Sequence, residues 1–254
     1  MLKTRIIPTL LHKGLGLVKG IGFDSWRRVG SALQSINVYS MRGVDELIFL
    51  DISATPEGRE PDFETIDDLA DECFMPFTVG GGIQTIKDVR RMLQVGADKV
   101  SINSAAIGNS QLIAEAAKRF GSQCIVVSID YREHGDGRRE VFSHCGSKPT
   151  GLDPINMATI VEDLGAGEIL LTSIDRDGTM LGYDLEGISK VTNAVNIPVI
   201  ASGGAGSYED FFIAISEGGA SAVAAASIYH FTEMTPNEAK RYLQDKGVPV
   251  RLDD

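Results

Sequence analysis

Cysteine, histidine and long apolar runs are all scarce in this chain of 254 residues. The three cysteines, Cys73, Cys124 and Cys145, show no CxxC spacing, which excludes zinc-ribbon and dithiol motifs and predicts reduced thiols in a cytoplasmic protein. The four histidines show no metal-ligand spacing and no dinucleotide fingerprint occurs, so we expect neither metal nor cofactor. No run reaches membrane-spanning length and 6–11 is too short for a signal peptide, so we expect a soluble protein.

Basic residues are also fewer than acidic ones, 24 against 35, which gives a formal net charge of −11. Binding to a phosphate backbone needs clustered Lys and Arg, so nucleic acid is not an expected partner. The apolar content of 43% is sufficient for a sizeable core. The length is typical of a single eight-fold β/α barrel domain.

Short runs rich in β-branched residues alternate with stretches of helical periodicity, such as 86–95 and 110–119. We predict strands near 5–10, 46–51, 76–80, 98–103, 124–130, 168–173, 197–202 and 221–226. Alternating strands and helices imply parallel pairing with right-handed crossovers. Both a closed (βα)8 barrel and an open, doubly wound sheet fit this order.

The second half of the chain repeats the first, which favours the closed barrel. Residues 122 positions apart are often of the same kind: Glu46 and Glu168, Ile52 and Ile174, Gly81 and Gly203, Gly82 and Gly204. An open sheet gives no reason for such a repeat. We therefore predict one α/β domain over residues 1–254, a (βα)8 TIM barrel with half-barrels at about 1–120 and 121–254.

Two connections are longer than the rest, and both leave the carboxyl end of a strand, where barrel enzymes build their active sites. Residues 12–30 contain five glycines, and residues 131–151 are rich in glycine and charge. We interpret 12–30 as a mobile loop over the site. A surface insertion without function is the alternative.

Glycines close the third and seventh predicted strands, and small residues follow the fourth and eighth. Glycine lets the backbone approach an anion, and N–H groups at a helix start favour negative charge. The same set occurs twice, which favours two phosphate sites across the mouth over plain turns and predicts an elongated substrate with two phosphates. The residues assigned to these sites are Gly81, Gly82, Asn103 and Ser104, and Asp177, Gly178, Gly203, Gly204, Ala226 and Ser227.

Asp130 ends the fifth predicted strand at an inward position, which suits general acid–base catalysis. A structural carboxylate that accepts loop N–H groups is the alternative. The repeat aligns 5–11 with 124–130 and sets Leu11 opposite Asp130, so any two-carboxylate chemistry has changed or been lost. Lys19, in the first long connection, is the only lysine placed to reach a substrate, unless it is a solvated loop residue.

Four charged residues begin the first, second, fourth and sixth predicted strands. They are Arg5, Glu46, Lys99 and Glu168. Barrel interiors are normally apolar and an isolated buried charge is costly, but two cations and two anions can compensate each other as a ring. Such a ring would gate the barrel floor; side chains that point outward to solvent are the alternative.

The chain resembles the cyclase subunit of imidazole glycerol phosphate synthase over essentially its full length. Strings that carry the resemblance include VDELIFLDI, FTVGGGI, GADKVSINSAA, GAGEILLTSIDRDGT and IPVIASGGAG. The resemblance implies a ribulose-phosphate-binding type of barrel with a separate glutaminase on its N-terminal face, where Asp98 and Gln123 match partner-facing positions. It also implies that ammonia passes the charged gate and crosses the barrel to a phosphorylated substrate.

Departures from the family are concentrated in the first strand and the connection after it. The family's catalytic pair is an Asp at the end of the first strand and an Asp at the end of the fifth. Here the second is Asp130, but the first is Leu11, although Lys19 remains. Leucine cannot transfer a proton, and one positioned acid–base group is commonly worth about 10²–10⁴-fold in rate. We therefore expect cyclisation to have lost most of its rate.

This pattern resembles a paralogous branch of the family associated with surface-polysaccharide biosynthesis, where the barrel and its glutaminase supply ammonia to a sugar amidotransferase. The first hypothesis is accordingly a subunit that relays ammonia for amidation of an acetamido sugar. The second is a working cyclase of histidine biosynthesis, a lyase that dispenses with one Asp. The third is a non-catalytic activator of the glutaminase. All three imply a heterodimer with a glutaminase.

Overall fold

The computed structural model describes residues 3–14 and 16–252. Met1, Leu2, Leu15 of the first long connection, and positions 253 and 254 lie outside the described residues. No helix in the described part of the chain is long and apolar enough to cross a membrane.

Eight parallel strands close into a barrel, which confirms the predicted fold class. The described strands are β1 (Arg5–Lys13), β2 (Gly16–Ile21), β3 (Asp24–Gly30), β4 (Leu47–Asp51), β5 (Phe77–Gly80), β6 (Lys99–Ile102), β7 (Ile125–Glu133), β8 (Arg139–Ser143), β9 (Lys148–Pro149), β10 (Glu168–Ser173), β11 (Val199–Ser202) and β12 (Ala222–Ala225). The barrel order is β1-β4-β5-β6-β7-β10-β11-β12, and β12 pairs with β1 to close it. The open, doubly wound sheet is therefore excluded.

Helices follow the barrel strands and cover the outside of the barrel. The described helices are α1 (Ala32–Met41), α2 (Ala54–Glu57), α3 (Phe63–Ala70), α4 (Ile86–Gln94), α5 (Ser104–Gly108), α6 (Gln111–Phe120), α7 (Pro154–Asp163), α8 (Leu185–Thr192), α9 (Tyr208–Ser216), α10 (Ser227–Phe231) and α11 (Pro236–Asp245). Their inner faces pack on the outward side chains of the strands and form the larger apolar core.

The half-barrel repeat extends to the helix starts. Thr85 and Asp88 form a capping box at the start of α4, and Ser207 and Asp210, each 122 positions later, form the same box at the start of α9. Both boxes satisfy backbone N–H groups of the first helical turn. The two helices thus begin in the same way after β5 and after β11.

The first long connection, 12–30, which the sequence predicted to be a mobile loop over the site, contains two further strands. β1 continues to Lys13 and pairs antiparallel with β2, which pairs with β3, so the connection is a β-hairpin extending the first barrel strand. Its turn places Gly22 and Phe23 at φ 61° and 63° between the paired residues Ile21 and Asp24. Positive φ at both central positions is the two-residue turn that matches the strand twist. We call residues 16–30 the hairpin.

The second long connection also contains strands. β7 extends to Glu133 and pairs antiparallel with β8, which pairs with the short β9. These two extensions arise from β1 and β7, which lie four places apart in an eight-stranded barrel and are therefore on opposite sides. They form two walls that rise from the carboxyl ends of the strands.

Candidate functional site

A single cavity of about 520 Å³ opens at the carboxyl ends of the barrel strands. This volume is within the usual range of sites for small molecules, roughly 300–1,000 Å³. The cavity brings together Leu11, Lys19 and Asp130 with all ten residues assigned to phosphate binding. The hairpin contributes Phe23 and Trp26 to its wall.

The glycines at the ends of β5 and β11 are required by the backbone itself. Gly81 has φ 113° and Gly204 has φ 120°, a region that side chains rarely adopt. A Cβ atom on Gly81 would lie 2.2 Å from the Asp51 carbonyl oxygen, and one on Gly204 would lie 2.2 Å from the Gly182 carbonyl oxygen. The close contacts with the carbonyl oxygens of Asp51 and Gly182 thus explain why both positions are glycine. They also leave backbone without a side chain facing the cavity.

The helices that follow β6 and β12 begin at the cavity without a side-chain cap. Asn103 precedes α5 and Ala226 precedes α10, and neither makes a capping hydrogen bond. The Ser227 hydroxyl is buried and has no hydrogen-bond partner among the described residues. Uncapped first-turn N–H groups and a free hydroxyl are groups that an anion could bind.

The backbone N–H of Asp177 does not have the position in the second phosphate site that the sequence predicted. Its N–H donates to the carbonyl oxygens of Ser173 and Ile174, at 3.0 and 3.1 Å, so it is not available to a phosphate. Its carboxylate is bound to Lys19. Of the two residues that the sequence predicted from this turn, only the backbone N–H of Gly178 remains as a candidate for the second phosphate site.

Asp130 lies at the end of the straight part of β7 and is buried beside the cavity. It accepts hydrogen bonds from the Ser128 hydroxyl at 3.1 Å and from the Asn103 amide at 3.2 Å. Burial raises the pKa of Asp130 to about 7, and nearby Asp177 adds to this, while the Ser128 and Thr172 hydroxyls lower it. A carboxyl group that gains and loses a proton near neutral pH suits acid–base chemistry.

Leu11 occupies the facing position on β1 and is buried. Its register partners are Leu50 on β4 and Val18 on β2, so apolar side chains surround it. β1 and β7 lie on opposite sides of the barrel, which places Leu11 across the mouth from Asp130. These two facing strand ends therefore carry a carboxyl group on β7 and an isobutyl group on β1. The other carboxylates that line the cavity, Asp51 and Asp177, are paired with Arg59 and Lys19.

Lys19 is a buried strand residue and not a solvated loop lysine, and it lines the cavity, so contact with a substrate stays a prediction. It lies on β2 with 2% of its side chain exposed, and its Nζ lies 2.5 Å from the Asp177 carboxylate. Burial raises the pKa of Asp177, and Lys19 opposes that rise. Lys19 thus joins the hairpin to the turn after β10 at the edge of the cavity.

The charged residues at the floor do point into the barrel. The Arg5 guanidinium lies 2.6 Å from Glu46 and 3.0 Å from Glu168, and the Lys99 ammonium lies 2.9 and 3.2 Å from the same two carboxylates. Cation and anion alternate around a closed ring. Burial disfavours the charge on Arg5, but the two glutamates outweigh it and raise the Arg5 pKa.

Asp98 and Gln123 lie at the same end of the barrel as the ring, and both are exposed. The Asp98 carboxylate accepts the Phe77 N–H at 2.8 Å, which fixes the turn before β6. The Gln123 amide makes only a long contact, 3.4 Å, to the Phe120 carbonyl oxygen. Gln123 is therefore the more available of the two to a partner.

Sequence reasoning missed the hydroxyl groups that line the barrel interior. Thr78 is fully buried and donates to Glu46 at 2.7 Å, so it belongs to the charged ring. Thr9 is buried beside the cavity and its hydroxyl has no partner among the described residues. Both occupy inward positions in strands, and this parity is the signal that could have identified them.

The second wall of the cavity also carries residues that the sequence did not single out. His144 and Cys145, between β8 and β9, have φ 52° and 54° and line the cavity. The His144 N–H donates to the Ser104 hydroxyl at 2.9 Å, which ties this wall to the start of α5. No local pattern marks this contact, because Ser104 and His144 lie far apart in the chain.

The family model described as "Histidine biosynthesis protein" matches residues 5–235, which covers nearly the whole chain from β1 to the segment before α11.

Proposed function

The chain belongs to the histidine biosynthesis protein family, and on that premise we propose that it takes ammonia from a partner glutaminase and delivers it through the barrel. The membership makes the chain a barrel enzyme of the histidine-biosynthesis type. In the proposal, the glutaminase docks on the N-terminal face around Asp98 and Gln123. The ammonia serves a separate amidotransferase that turns the acetamido group of a sugar into an amidine for a surface polysaccharide.

The ring at the floor supports an entrance for ammonia. Glu46 is 1% exposed and contacts both Arg5 and Lys99, so the ring closes the bottom of the barrel by charge and not by apolar packing. A buried ion-pair ring is seldom a source of net stability, because desolvation offsets most of the attraction. A role in the passage of ammonia therefore accounts for the position of the charged ring at the floor better than a role in folding.

The interior above the ring suits a small neutral molecule. Its apolar layer consists of Ile7, Ile48, Val126, Leu170, Ile200, Ala222 and Ala224. Ammonia can cross such a layer, whereas ammonium would lose its hydration without a charged partner. The unpaired Thr9 hydroxyl lies beyond this layer, at the cavity, and offers a hydrogen bond at the exit.

The observation that carries the proposal is Leu11 at the mouth of a barrel that keeps its charged floor. A cyclase of this family needs a carboxylate at the end of the first strand, and Leu11 cannot accept or donate a proton. Passage of ammonia needs neither that carboxylate nor its pKa. The combination fits a barrel that conducts ammonia to chemistry carried out elsewhere.

A functional cyclase is the second candidate, and the cavity itself favours it. Both glycine turns, both uncapped helix starts and Asp130 line one space large enough for an elongated ligand with two phosphates. Under this candidate Asp130, with a pKa near 7, carries the acid–base steps alone. The same cavity fits the third candidate, an activator whose bound phosphorylated ligand stimulates the glutaminase.

The decisive experiment is cyclisation of the family's bis-phosphorylated substrate by the purified chain, with excess ammonium at high pH. Free ammonia bypasses the glutaminase, so the assay isolates the chemistry of the barrel. We expect binding of the substrate without turnover at an enzymatic rate. Rapid turnover would contradict the proposal and establish the cyclase.

A matched pair of variants completes this test. Leu11→Asp restores the missing carboxylate and should raise the cyclisation rate at least about tenfold, since one positioned acid–base group is commonly worth 10²–10⁴-fold. Leu11→Asn introduces a side chain of the same shape as Asp that cannot ionise, and it should leave the cyclisation rate unchanged. An equal rate in both variants would show that the missing carboxylate is not what limits the reaction.

A further inference from the structure

Three large apolar side chains are exposed at the carboxyl end of the barrel: Ile21 at 58%, Leu181 at 76% and Phe231 at 38%. Ile21 ends β2, Leu181 follows β10, and Phe231 ends α10 after β12. Strands β10, β11, β12 and β1 are consecutive in the barrel, so these residues lie on one arc of the rim. We call Ile21, Leu181 and Phe231 the apolar rim; none of them lines the cavity.

The segments that carry the apolar rim are tied to one another. The Gly22 N–H donates to the Asp177 carbonyl oxygen at 2.9 Å, which joins the hairpin tip to the turn after β10. A Cβ atom on Gly178 would lie 2.1 Å from the Gly20 carbonyl oxygen, so the two backbones are in direct contact. The Arg27 guanidinium lies 3.7 Å from the Phe231 ring centroid. The rim is therefore a connected surface of three elements.

Basic residues are concentrated on the hairpin side of this surface, on a chain whose net charge is −11. Lys13, Arg27 and Arg28 are exposed on and beside the hairpin and form a basic border there. Asp24 is the only acidic residue between positions 12 and 30. Away from the hairpin the charge is mixed, since Arg176, Asp175 and Glu233 are all exposed there. The hairpin side of the arc is thus complementary to a surface that is apolar at its centre and acidic where it meets the hairpin.

The backbone of the hairpin is also open to a partner. Among the described residues β3 pairs only with β2, so its other edge has no strand beside it. Other large apolar residues that are exposed occur apart from this arc, as on the outer face of α7, where Ile160 is 44% exposed. Scattered apolar residues are normal on a surface, whereas a cluster bordered by charge marks an interaction site.

We propose that the apolar rim and its basic border form the docking surface for the enzyme that accepts the ammonia. This inference rests on the proposed function. The occupant is a protein with an apolar patch that carries Asp and Glu on the side facing the hairpin, and it would cover the arc over β10, β12 and β1. Its acceptor site would then open directly onto the cavity mouth.

The chemistry of ammonia requires such a cover. Ammonia that reaches an open mouth is protonated by water and diluted, and the resulting ammonium is not a nucleophile. An acceptor in a separate protein must therefore exclude water from the exit, as closed active sites do. The apolar rim lies immediately beside that exit, because the hairpin that carries Ile21 also carries Lys19, Phe23 and Trp26 of the cavity wall.

The test uses the complex of this chain with its glutaminase and, as binding partner, a purified sugar amidotransferase of the class named in the proposed function. Binding is measured by titration calorimetry, and transfer of glutamine-derived nitrogen to the sugar is measured in parallel. Ile21→Asp with Leu181→Asp should weaken binding at least about tenfold, as expected when central apolar contacts are lost. Ile160→Asp, on the outer face of α7, should leave binding within about twofold.

The basic border provides a second test, which measures the association rate and its dependence on salt. Arg27→Glu should slow association and reduce its dependence on salt, because rim charges act mainly on the encounter rate. The variants expose no new core, so equal unfolding midpoints should accompany these changes.

Failure of the inference and failure of the proposed function give different results. If the parental complex binds the amidotransferase and transfers nitrogen, but Ile21→Asp with Leu181→Asp behaves like the parent, the docking surface lies elsewhere. If the parental complex neither binds nor transfers nitrogen, the ammonia relay itself is wrong. If the parental chain instead self-associates in sedimentation and the double variant does not, the occupant is a second copy, which overturns the inference.

Discussion

Asp130 is the buried carboxyl group at the mouth for which we predict a role in acid–base chemistry. Its carboxyl group is buried between β6 and β10, where the Ser128 hydroxyl and the Asn103 amide contact it. Its pKa of about 7 means that both protonation states are accessible near neutral pH. A carboxylate that only fixed a loop would accept backbone N–H groups and have a lowered pKa. Neither feature is seen, which favours the acid–base reading.

The raised pKa of Asp130 predicts a particular dependence of stability on pH. The folded protein keeps the proton where the unfolded chain has lost it, so this stabilisation is complete below about pH 4 and is lost as the pH rises through about 7. Asp130→Asn cannot ionise. Its free energy of unfolding, relative to the parent, should therefore rise between pH 4.5 and 8, by up to about 4 kcal/mol. Denaturant titrations at the two pH values measure this.

The control for Asp130→Asn is Asp24→Asn, which removes one negative charge from the exposed turn of the hairpin. It should shift stability by the same small amount at both pH values. A difference between parent and Asp130→Asn that does not change with pH would show that Asp130 remains ionised throughout.

The hairpin is the element that most changes the interpretation of the site. It converts a glycine-rich stretch into a wall of the cavity and buries Lys19 against Asp177. Leu17, Val18 and Lys19 are all buried on β2, whereas β3 is largely exposed. One strand thus packs on the barrel and the other faces solvent. The same element supplies Trp26 to the cavity and Ile21 to the apolar rim.

The ion pair between Lys19 and Asp177 should be what holds the hairpin in place. Lys19→Met leaves the Asp177 carboxylate buried without its cation, a change that typically costs about 3–5 kcal/mol. Amide hydrogen exchange should therefore accelerate in residues 16–21 without a comparable change in β7. The double variant Lys19→Met with Asp177→Asn removes both charges and should restore most of the protection. A double variant as unprotected as the single one would show that apolar packing, and not the ion pair, fixes the hairpin.

At the scale of the whole molecule, the two ends of the barrel carry different chemical groups. The floor carries a charged ring with Asp98 and Gln123 beside it, and the mouth carries the cavity, the hairpin and the apolar rim. Barrel enzymes generally place chemistry at the carboxyl ends of the strands and stability at the other end. In this chain the amino-terminal end holds buried charge instead, which points to a role beyond stability.

The charged ring predicts that a change at the floor affects transfer of glutamine-derived nitrogen but not transfer of nitrogen from added ammonium. Glu46→Gln leaves Arg5 and Lys99 with a single carboxylate between them, which should disturb the closed floor while the mouth stays intact. In the complex with glutaminase, we expect transfer of glutamine-derived nitrogen to fall at least about tenfold, as for loss of a buried charge pair at an interface. Transfer from added ammonium should remain within about threefold of the parent.

Glu115→Gln, on the outside of α6, is the control for this charge change. Glu115 is half-exposed and pairs with Arg119 on the same helix, away from the floor. Both reactions should be unchanged in it. Equal losses of the two reactions in Glu46→Gln would indicate a damaged fold and contradict a gate at the floor.

The sequence by itself determined the barrel. Its apolar runs, the helical stretches between them and the residues repeated 122 positions apart are local or periodic features, and each demands the same parallel, closed arrangement. Strand parity was enough to place Asp130 and Leu11 inward. The glycines that end β5 and β11 could also be placed in turns, because a turn that needs positive φ selects glycine wherever it occurs.

Only the tertiary structure decided what the first connection does. Five glycines in residues 12–30 suggested mobility, yet contacts with the turn after β10, more than 150 positions away, hold that segment as a hairpin. The same contacts make Lys19 a buried partner of the Asp177 carboxylate at the cavity wall, while the Asp177 N–H is bound by the Ser173 and Ile174 carbonyl oxygens of its own turn. Burial and long-range pairing are properties of the assembled barrel, and no local spacing encodes them.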